Sequence, residues 1–167
     1  MDKKKLIVLG LLVLILTAMC VLYVMHNGPQ KTPEQVIRKA YNDSATSLQM
    51  QSVIKELDVK GGKLVLYRNA NGNVVLAYLE ANGKSWDIKA TLGEQSLRSD
   101  VIPVGEFFSV DREENIYIGF GIIYDRAVTK VTLDGHETTM VDGDVRFWYY
   151  FSNTEFEQDV TVESLEQ

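Results

Sequence analysis

The sequence predicts an α+β protein, mostly antiparallel β-sheet, with an N-terminal transmembrane helix. Three observations lead to this fold class. An unbroken apolar run fills Leu6–Met25, one short stretch with helical spacing follows from Thr32, and about eight or nine segments beyond it have the two-residue period of strands. Gly-Gly, Asn-Gly and Asp-Gly pairs separate many of these segments. Strands joined in this way are typical of a sandwich or a curled sheet.

The apolar run Leu6–Met25 is predicted to be a transmembrane signal anchor. It contains no charged side chain, and a helix of about twenty residues reaches about 30 Å, the thickness of the hydrocarbon core of a bilayer. Three lysines precede it at positions 3–5, whereas the flank behind it, residues 26–31, contains a single lysine, Lys31. Because the lysine-rich side stays in the cytoplasm, we expect residues 1–5 inside the cell and residues 32–167 outside the cell membrane.

Two other fates of the apolar run are open, a cleaved signal peptide and a lipoprotein signal ending at Cys20. A cleaved signal has an apolar core of about 7–15 residues and small residues before the cut. A lipid-modified cysteine likewise follows a small residue, where this chain has Met19. The apolar residues also continue past Cys20, so a retained single-pass anchor is favoured, with residues 26–31 as a short juxtamembrane linker.

The charge of the C-terminal domain, residues 32–167, excludes one class of partner. This domain carries 13 Lys and Arg against 22 Asp and Glu, and residues 90–167 alone carry 5 against 16. Nucleic-acid affinity depends on basic groups that displace counterions, so we expect no nucleic-acid partner. The single cysteine, Cys20, lies in the apolar run, so no disulfide is expected in this domain and its core alone must stabilise it.

Thr32 begins the one helix that is predicted in the C-terminal domain. Thr32 suits the N-cap, Pro33 suits the first helical position, and Gln35 stands three residues after the cap, as in a capping box. Four apolar residues then share one face at helical spacing: Val36, Ile37, Ala40 and Tyr41. The prediction is a short amphipathic helix packed on the strands that follow.

A meander of four strands is predicted between residues 53 and 92, with turns at Gly61-Gly62, Asn71-Gly72 and Asn82-Gly83. Asn-Gly favours a hairpin because both turn positions take a positive φ. Residues 93–114 lack a clear period, and Pro103 argues against a central strand there. The later strands are predicted at Ile116–Tyr124, Val128–Leu133, His136–Val141, Val145–Phe151 and Gln158–Leu165.

No motif predicts a catalytic site, and we expect neither a cofactor nor a metal. His136 has too few cysteine or histidine neighbours for zinc, and Asp142-Gly143-Asp144 is more typical of a turn than of a calcium loop. Gly119-Phe120-Gly121 is not followed by the helix that a phosphate cradle needs; glycines inside a strand more often mark a close backbone approach. A carboxylate pair in an acidic β-domain would still suit a cell-envelope hydrolase, the first alternative function.

The run Phe147-Trp148-Tyr149-Tyr150-Phe151 is the candidate interaction surface. Alternate members of a strand face opposite sides, so Phe147, Tyr149 and Phe151 share one face while Trp148 and Tyr150 share the other. The run fits a central strand buried on both faces, or a strand with one face left for a partner, since aromatic side chains anchor interfaces.

With the anchor, this aromatic run predicts a non-enzymatic binding or interaction module for a protein or cell-envelope partner. The second alternative is a sensor that regulates another membrane protein.

The order of these features resembles small membrane-anchored extracytoplasmic proteins of Gram-positive spore-forming bacteria. The features are a Thr-Pro-Glu helix start at 32–34, a glycine-led strand, a Trp-containing strand after the next hairpin, Gly121–Asp125 leading into Val128–Leu133, an Asp-Gly turn and a Phe-Trp-Tyr strand at 147–149. The resemblance covers Thr32–Phe151, implies an anchored domain outside the cell, and carries over no catalytic residues. The chain departs from the lipidated or secreted members at Met19.

Overall fold

The computed structural model describes residues 13–23, 31–42, 47–99, 102–111 and 116–165. The chain divides into two compact units, Met1–Gln30 and Lys31–Gln167. In the first unit residues 13–23 form helix α1; the rest of the predicted anchor Leu6–Met25, together with residues 1–5 and 26–30, lies outside the described residues. Within the part of the chain that is described, no helix is long and apolar enough to cross a membrane.

Helix α2, Pro33–Tyr41, begins with the predicted capping box. The backbone N–H of Gln35 donates to Thr32 Oγ1 at 3.2 Å, and the N–H of Thr32 donates to Gln35 Oε1 at 3.1 Å. These two bonds satisfy donors that a helix start otherwise leaves unpaired. Ile37 is fully buried against the first sheet, which fixes the face that α2 turns inward.

The predicted meander forms the first sheet. Its strands, in the order β1-β2-β3-β4, are β1 Met50–Val59, β2 Gly62–Asn69, β3 Val74–Asn82 and β4 Ser85–Gln95. The glycines at the two Asn-Gly turns, Gly72 and Gly83, have positive φ angles of 82° and 57°. Asn71 and Asn82 do not, so the expectation that both residues of each turn take a positive φ was wrong for the asparagines.

The remaining strands form two further antiparallel sheets. The second sheet has the order β5-β6-β10-β9 and the third has the order β11-β7-β8. Their bounds are β5 Phe107–Asp111, β6 Ile116–Ile122, β7 Val128–Leu133, β8 His136–Glu137, β9 Thr139–Val141, β10 Phe147–Ser152 and β11 Val160–Ser164. The prediction of an α+β fold with mostly antiparallel β is confirmed for the described residues.

Eleven strands are named in the described residues, against the eight or nine expected. β5 was missed because residues 93–114 have no clear period. The predicted strand His136–Val141 splits in two at Thr138, whose N–H and Oγ1 both donate to Val131 O, at 3.0 and 2.9 Å. Before Thr138 the chain therefore belongs to the third sheet, and after Thr138 it belongs to the second sheet.

The sheets stack in layers, and α2 covers the outer face of the first. One core lies between the first and second sheets and includes Leu66, Leu76 and Phe120. A second lies between α2 and the first sheet, around Tyr67. The third lies between the second and third sheets, around Val131 and Trp148. The second sheet is therefore covered on both faces over part of its area. This coverage determines which residues of the aromatic strand are buried.

Candidate functional site

The five aromatic residues of the candidate interaction surface lie on β10, and the structure divides them. Phe147 and Trp148 are 1% and 0% exposed. Phe147 belongs to the core shared with the first sheet and Trp148 to the core shared with the third. Neither can contact a partner in this conformation, because packed sheets cover both faces of the strand at this point. Tyr149, Tyr150 and Phe151 are half-buried.

Trp148 is accommodated by the two glycines of the Gly119-Phe120-Gly121 stretch. A Cβ on Gly121 would clash with Gly105 O and with the Trp148 indole, and a Cβ on Gly119 would lie 2.7 Å from Leu133 Cδ2. The Trp148 Nε1–H donates to Gly105 O at 3.1 Å. The close backbone approach that the sequence favoured at these glycines is therefore present.

Tyr149 and Phe151 lie at the margin of the core between the first and second sheets. The Phe151 ring meets Tyr78 edge-on, with ring centroids 5.1 Å apart, and lies 6.0 Å from the Tyr149 ring. Both rings pack against the core between the first and second sheets. Contacts of this kind stabilise a core as well as an interface, so these two rings close one end of the domain.

Tyr150 lines a groove on the opposite face of β10. Its ring stacks on His136, with centroids 5.8 Å apart and 6° between the planes, and lies 6.2 Å from Phe156. The groove has a volume of about 490 Å³. We call it the acidic aromatic groove; its lining residues are Asp134, His136, Tyr150, Ser152, Thr154, Glu155, Phe156, Glu157 and Asp159.

The groove opens beside an incomplete sheet edge. β9 pairs with β10 only along Phe147–Tyr149, whereas β6 pairs with β10 along its whole length. Among the described strands, none pairs with residues 150–152 on the β9 side. The pairing of β9 with β10 does not reach Thr138. The residues that precede Thr138 form β8, which pairs with β7 in the third sheet instead of with β10.

Asp134 holds the wall of the groove in place. Asp134 and Gly135 have positive φ angles of 51° and 76° and form the tight β7–β8 turn, a geometry that Asp-Gly favours. The Asp134 carboxylate accepts the N–H of Glu157 through Oδ2 and that of Asp159 through Oδ1, both at 2.9 Å. Both of its oxygens are thus engaged, and the carboxylate positions the segment that carries Glu157 and Asp159.

The groove was not predicted from the sequence, although one of its features, the Asp-Gly turn, is recognisable from neighbouring residues. The Asp-Gly turn was predicted as a turn, but its second role, holding residues 157–159, depends on atoms more than twenty positions away. Tyr150 was predicted as a candidate and does line the groove. The acidic residues of the groove in segment 155–159 were not predicted, because no local pattern in that segment indicates where it packs.

A second pocket, of about 710 Å³, lies at the amino end of β10. We call it the arginine pocket because Arg68, Arg126 and Arg146 all line it. Tyr124, also in its lining, donates its hydroxyl to Ser96 O at 3.0 Å, and burial raises the pKa of this phenol. The two ends of the aromatic strand thus open on two sites of different charge.

Among the described residues, no group of three or more His, Cys, Asp or Glu side chains has the geometry of a metal site. Comparison of the chain with protein-family models, with curated proteins and with solved structures finds no match. Functional inference therefore rests on the chemistry of the two sites.

Proposed function

We propose that this chain is a membrane-tethered binding module that holds an extended, basic segment of a protein partner outside the cell. The carrying observation is the acidic aromatic groove beside the incomplete edge of β10 at residues 150–152. Binding, the function predicted from the sequence, would thus occur at the carboxyl end of the aromatic strand.

The composition of the N-terminal segment supports the tether. Leu6–Met25 has the length and the uncharged character of a membrane span, and its described part is helical. The apolar side chains of that part are exposed on every side, including Val13, Leu14, Leu16 and Leu22, whose exposed fractions range from 53% to 71%. A helix that is apolar all round needs an apolar environment, and a bilayer supplies one.

The open edge of β10 supports an extended partner. A segment that adds a strand to a sheet edge gains main-chain hydrogen bonds, and its alternate side chains enter neighbouring pockets. Tyr150, held between His136 and Phe156, presents a half-buried ring beside this edge. Rigid aromatic rings with limited conformational freedom are common anchors of binding energy.

Charge complementarity supports a basic partner. Four carboxylates line the groove, those of Asp134, Glu155, Glu157 and Asp159, and residues 90–167 have a large acidic excess. A field of one sign attracts ligands of the other sign and repels like-charged ones. Lysine and arginine side chains flanking an extended segment would meet these carboxylates, while the backbone of the segment pairs with β10.

The binding test uses the full chain in neutral detergent and two fluorescent peptides of alternating valine and charged residues, one with lysines and one with glutamates. We expect the lysine peptide to bind, the glutamate peptide not to bind, and salt to weaken binding. The double variant Glu157→Gln/Asp159→Asn should weaken binding about tenfold, since it removes two charges from the groove.

The matched control is Glu56→Gln/Glu106→Gln, which removes two exposed carboxylates that do not line the groove. It should leave the affinity for the lysine peptide within about twofold, because screened surface charges at a distance contribute little. Equal losses in the two double variants, or binding of both peptides alike, would contradict a specific basic partner at the groove.

The tether has a separate test. In cells, the full chain should stay with the membrane fraction after alkaline extraction and should keep its N-terminus. Recovery of the C-terminal domain from the medium with a new N-terminus would overturn the tether, while the peptide experiment would still report on the groove.

The carboxylates of the groove favour one second candidate, a cell-envelope hydrolase. Asp134 is engaged by two backbone N–H groups and Glu155 also has an interaction partner, so Glu157 and Asp159 are the pair to test. Release of soluble fragments from purified envelope by the full chain, abolished by Glu157→Gln, would favour the hydrolase over the binding module.

A further inference from the structure

We propose that the arginine pocket binds a phosphoryl group attached to an apolar body. This site is separate from the acidic aromatic groove, because the two share no lining residue. The pocket itself does not depend on the proposed function, since its walls come from the opposite end of β10; only the test that separates a lipid from a soluble ligand rests on the proposed membrane tether.

The three arginines of the pocket come from different parts of the fold. Arg68 lies near the end of β2, Arg126 lies in the turn between β6 and β7, and Arg146 directly precedes β10. Residues 90–167 contain only five basic residues against sixteen acidic ones, and two of those five line this pocket. Asp142 pairs with Arg146 and Asp144 also lines the pocket, so the positive charge that would attract an anion is that of Arg68 and Arg126.

Arg146 serves as a positioning residue. Its Nε donates to Asp142 Oδ1 at 2.8 Å, and its two terminal nitrogens donate to the carbonyl oxygens of Asp125 and Arg126, both at 3.3 Å, and of Val128, at 3.1 Å. Its charge is therefore offset by Asp142, and its donors hold the turn that carries Arg126. This clamp fixes the backbone from which the Arg126 side chain extends.

Arg126 and Arg68 retain donors for a ligand. Arg126 is exposed, and within the described residues no carboxylate lies within ion-pair distance of it. Arg68 is half-buried and uses one terminal nitrogen to donate to Gly72 O at 2.9 Å. A guanidinium has five N–H donors, so both side chains can still form charge-assisted hydrogen bonds.

Besides the arginines and the exposed Asp144, the walls of the pocket are formed mainly by apolar side chains. Ile122 is 3% exposed, Leu97 and Val145 are half-buried, and the neutral Tyr124 ring stands beside them. A volume of about 710 Å³ suits a small organic molecule, and such sites combine apolar walls with a few polar groups that orient the ligand. The ligand thus has an apolar body as well as an anionic end.

The number of arginines favours a phosphoryl group over a carboxylate. One guanidinium satisfies the two oxygens of a carboxylate through a bidentate contact, whereas a phosphoryl group has three oxygens and can use two guanidinium groups. A lipid headgroup and a soluble organic phosphate share this chemistry, and the experiment separates them.

The experiment measures calorimetric binding of hexyl phosphate, glycerol 3-phosphate and hexanoate to the full chain in phosphatidylcholine nanodiscs. We expect hexyl phosphate to bind most tightly, because it alone supplies both the phosphoryl group and the apolar body. Arg126→Gln and Arg68→Gln should each weaken it at least about tenfold, the effect of losing charge-assisted hydrogen bonds. Arg98→Gln is the matched control, because Arg98 is exposed and does not line the pocket.

The source of the ligand is tested by adding phosphatidic acid to the nanodiscs. A weaker apparent affinity for hexyl phosphate would identify a lipid headgroup, and an unchanged affinity would identify a soluble organic phosphate; both outcomes support the site. No binding of hexyl phosphate, equal binding of hexanoate, or equal losses in Arg126→Gln and Arg98→Gln would overturn it. Because Arg68 also bonds to the β2–β3 loop, the Arg68 variant counts only if its thermal unfolding matches that of the parent chain.

Discussion

Trp148 donates its indole N–H to the carbonyl oxygen of Gly105 at 3.1 Å, inside the core between the second and third sheets. This bond lets the largest side chain of β10 be buried with its polar atom satisfied, as buried polar groups require. Gly121 makes the contact sterically accessible, because any Cβ there would occupy the space taken by Gly105 O and the indole. The aromatic strand thus has a rigid core half, Phe147 and Trp148, and a half-exposed end beside the acidic aromatic groove.

Gly121→Ala should destabilise the C-terminal domain strongly. The added methyl group would overlap with the backbone of Gly105, which cannot move aside as a flexible side chain can. We expect the free energy of unfolding to fall by about 3 kcal/mol or more, measured by urea denaturation. The control is Gly143→Ala, where the nearest atom to a new Cβ is Val145 O at 3.8 Å; it should change stability by less than about 1 kcal/mol.

Asn69→Ala should be nearly as damaging, for a polar reason. Asn69 is fully buried; its Oδ1 accepts the N–H groups of Asn71 and Asn73 at 3.1 and 2.9 Å, and its Nδ2 donates to Ser47 O. Removing the amide leaves these groups to find new partners, so we expect a loss of about 2–4 kcal/mol in thermal unfolding. Asn153→Ala, at an exposed position, should have little effect, and equal losses in the two variants would contradict this role.

The stability of the domain should fall at alkaline pH because of Tyr67. Burial, and secondarily the neighbouring Tyr41, raises the pKa of the Tyr67 phenol above its ordinary value of 10.0, and the neutral hydroxyl donates to Leu48 O at 3.0 Å. Since the folded pKa is raised, the stabilisation is complete below pH 10 and is lost as the pH rises from there towards the folded pKa. One such group changes the unfolding free energy by up to about 1.4 kcal/mol per pH unit.

Tyr67→Phe is the variant that tests this titration. It should lower stability at neutral pH, since it removes the bond to Leu48, and it should also flatten the decline above pH 10. Part of the decline should persist, because burial raises the pKa of Tyr124 as well. A Tyr67→Phe profile parallel to that of the parent chain would show that Tyr67 is not responsible.

The elements that the sequence predicts well are those specified by neighbouring residues. The capping box of α2 joins residues three positions apart, and the meander β1–β4 is marked by glycine-containing turns between apolar segments. β5 escaped prediction because its place is decided by pairing with β6 rather than by a pattern of its own. The split at Thr138 likewise depends on Val131 O, an acceptor in another strand.

The candidate site divides in the same way. Period-two alternation assigned the five aromatic residues to two faces of one strand, and the structure places them on those faces. Which members are accessible depends on how far β9 and the third sheet cover β10, and no local pattern expresses this. The same holds for the arginine pocket, since Arg68 and Arg146 stand far apart in the chain and meet only through the packing of the first two sheets.

The amino-acid sequence by itself determined the α+β class, the start of α2, the hairpins of the first sheet and the acidic character of the C-terminal domain. These follow from capping, backbone propensity, apolar period and net charge, which act over a few residues or sum over many. Only the tertiary structure decided that Phe147 and Trp148 are core, that Tyr150 borders a groove, and that three arginines share one pocket. These outcomes depend on contacts between distant residues, whose energies arise only after the sheets have packed.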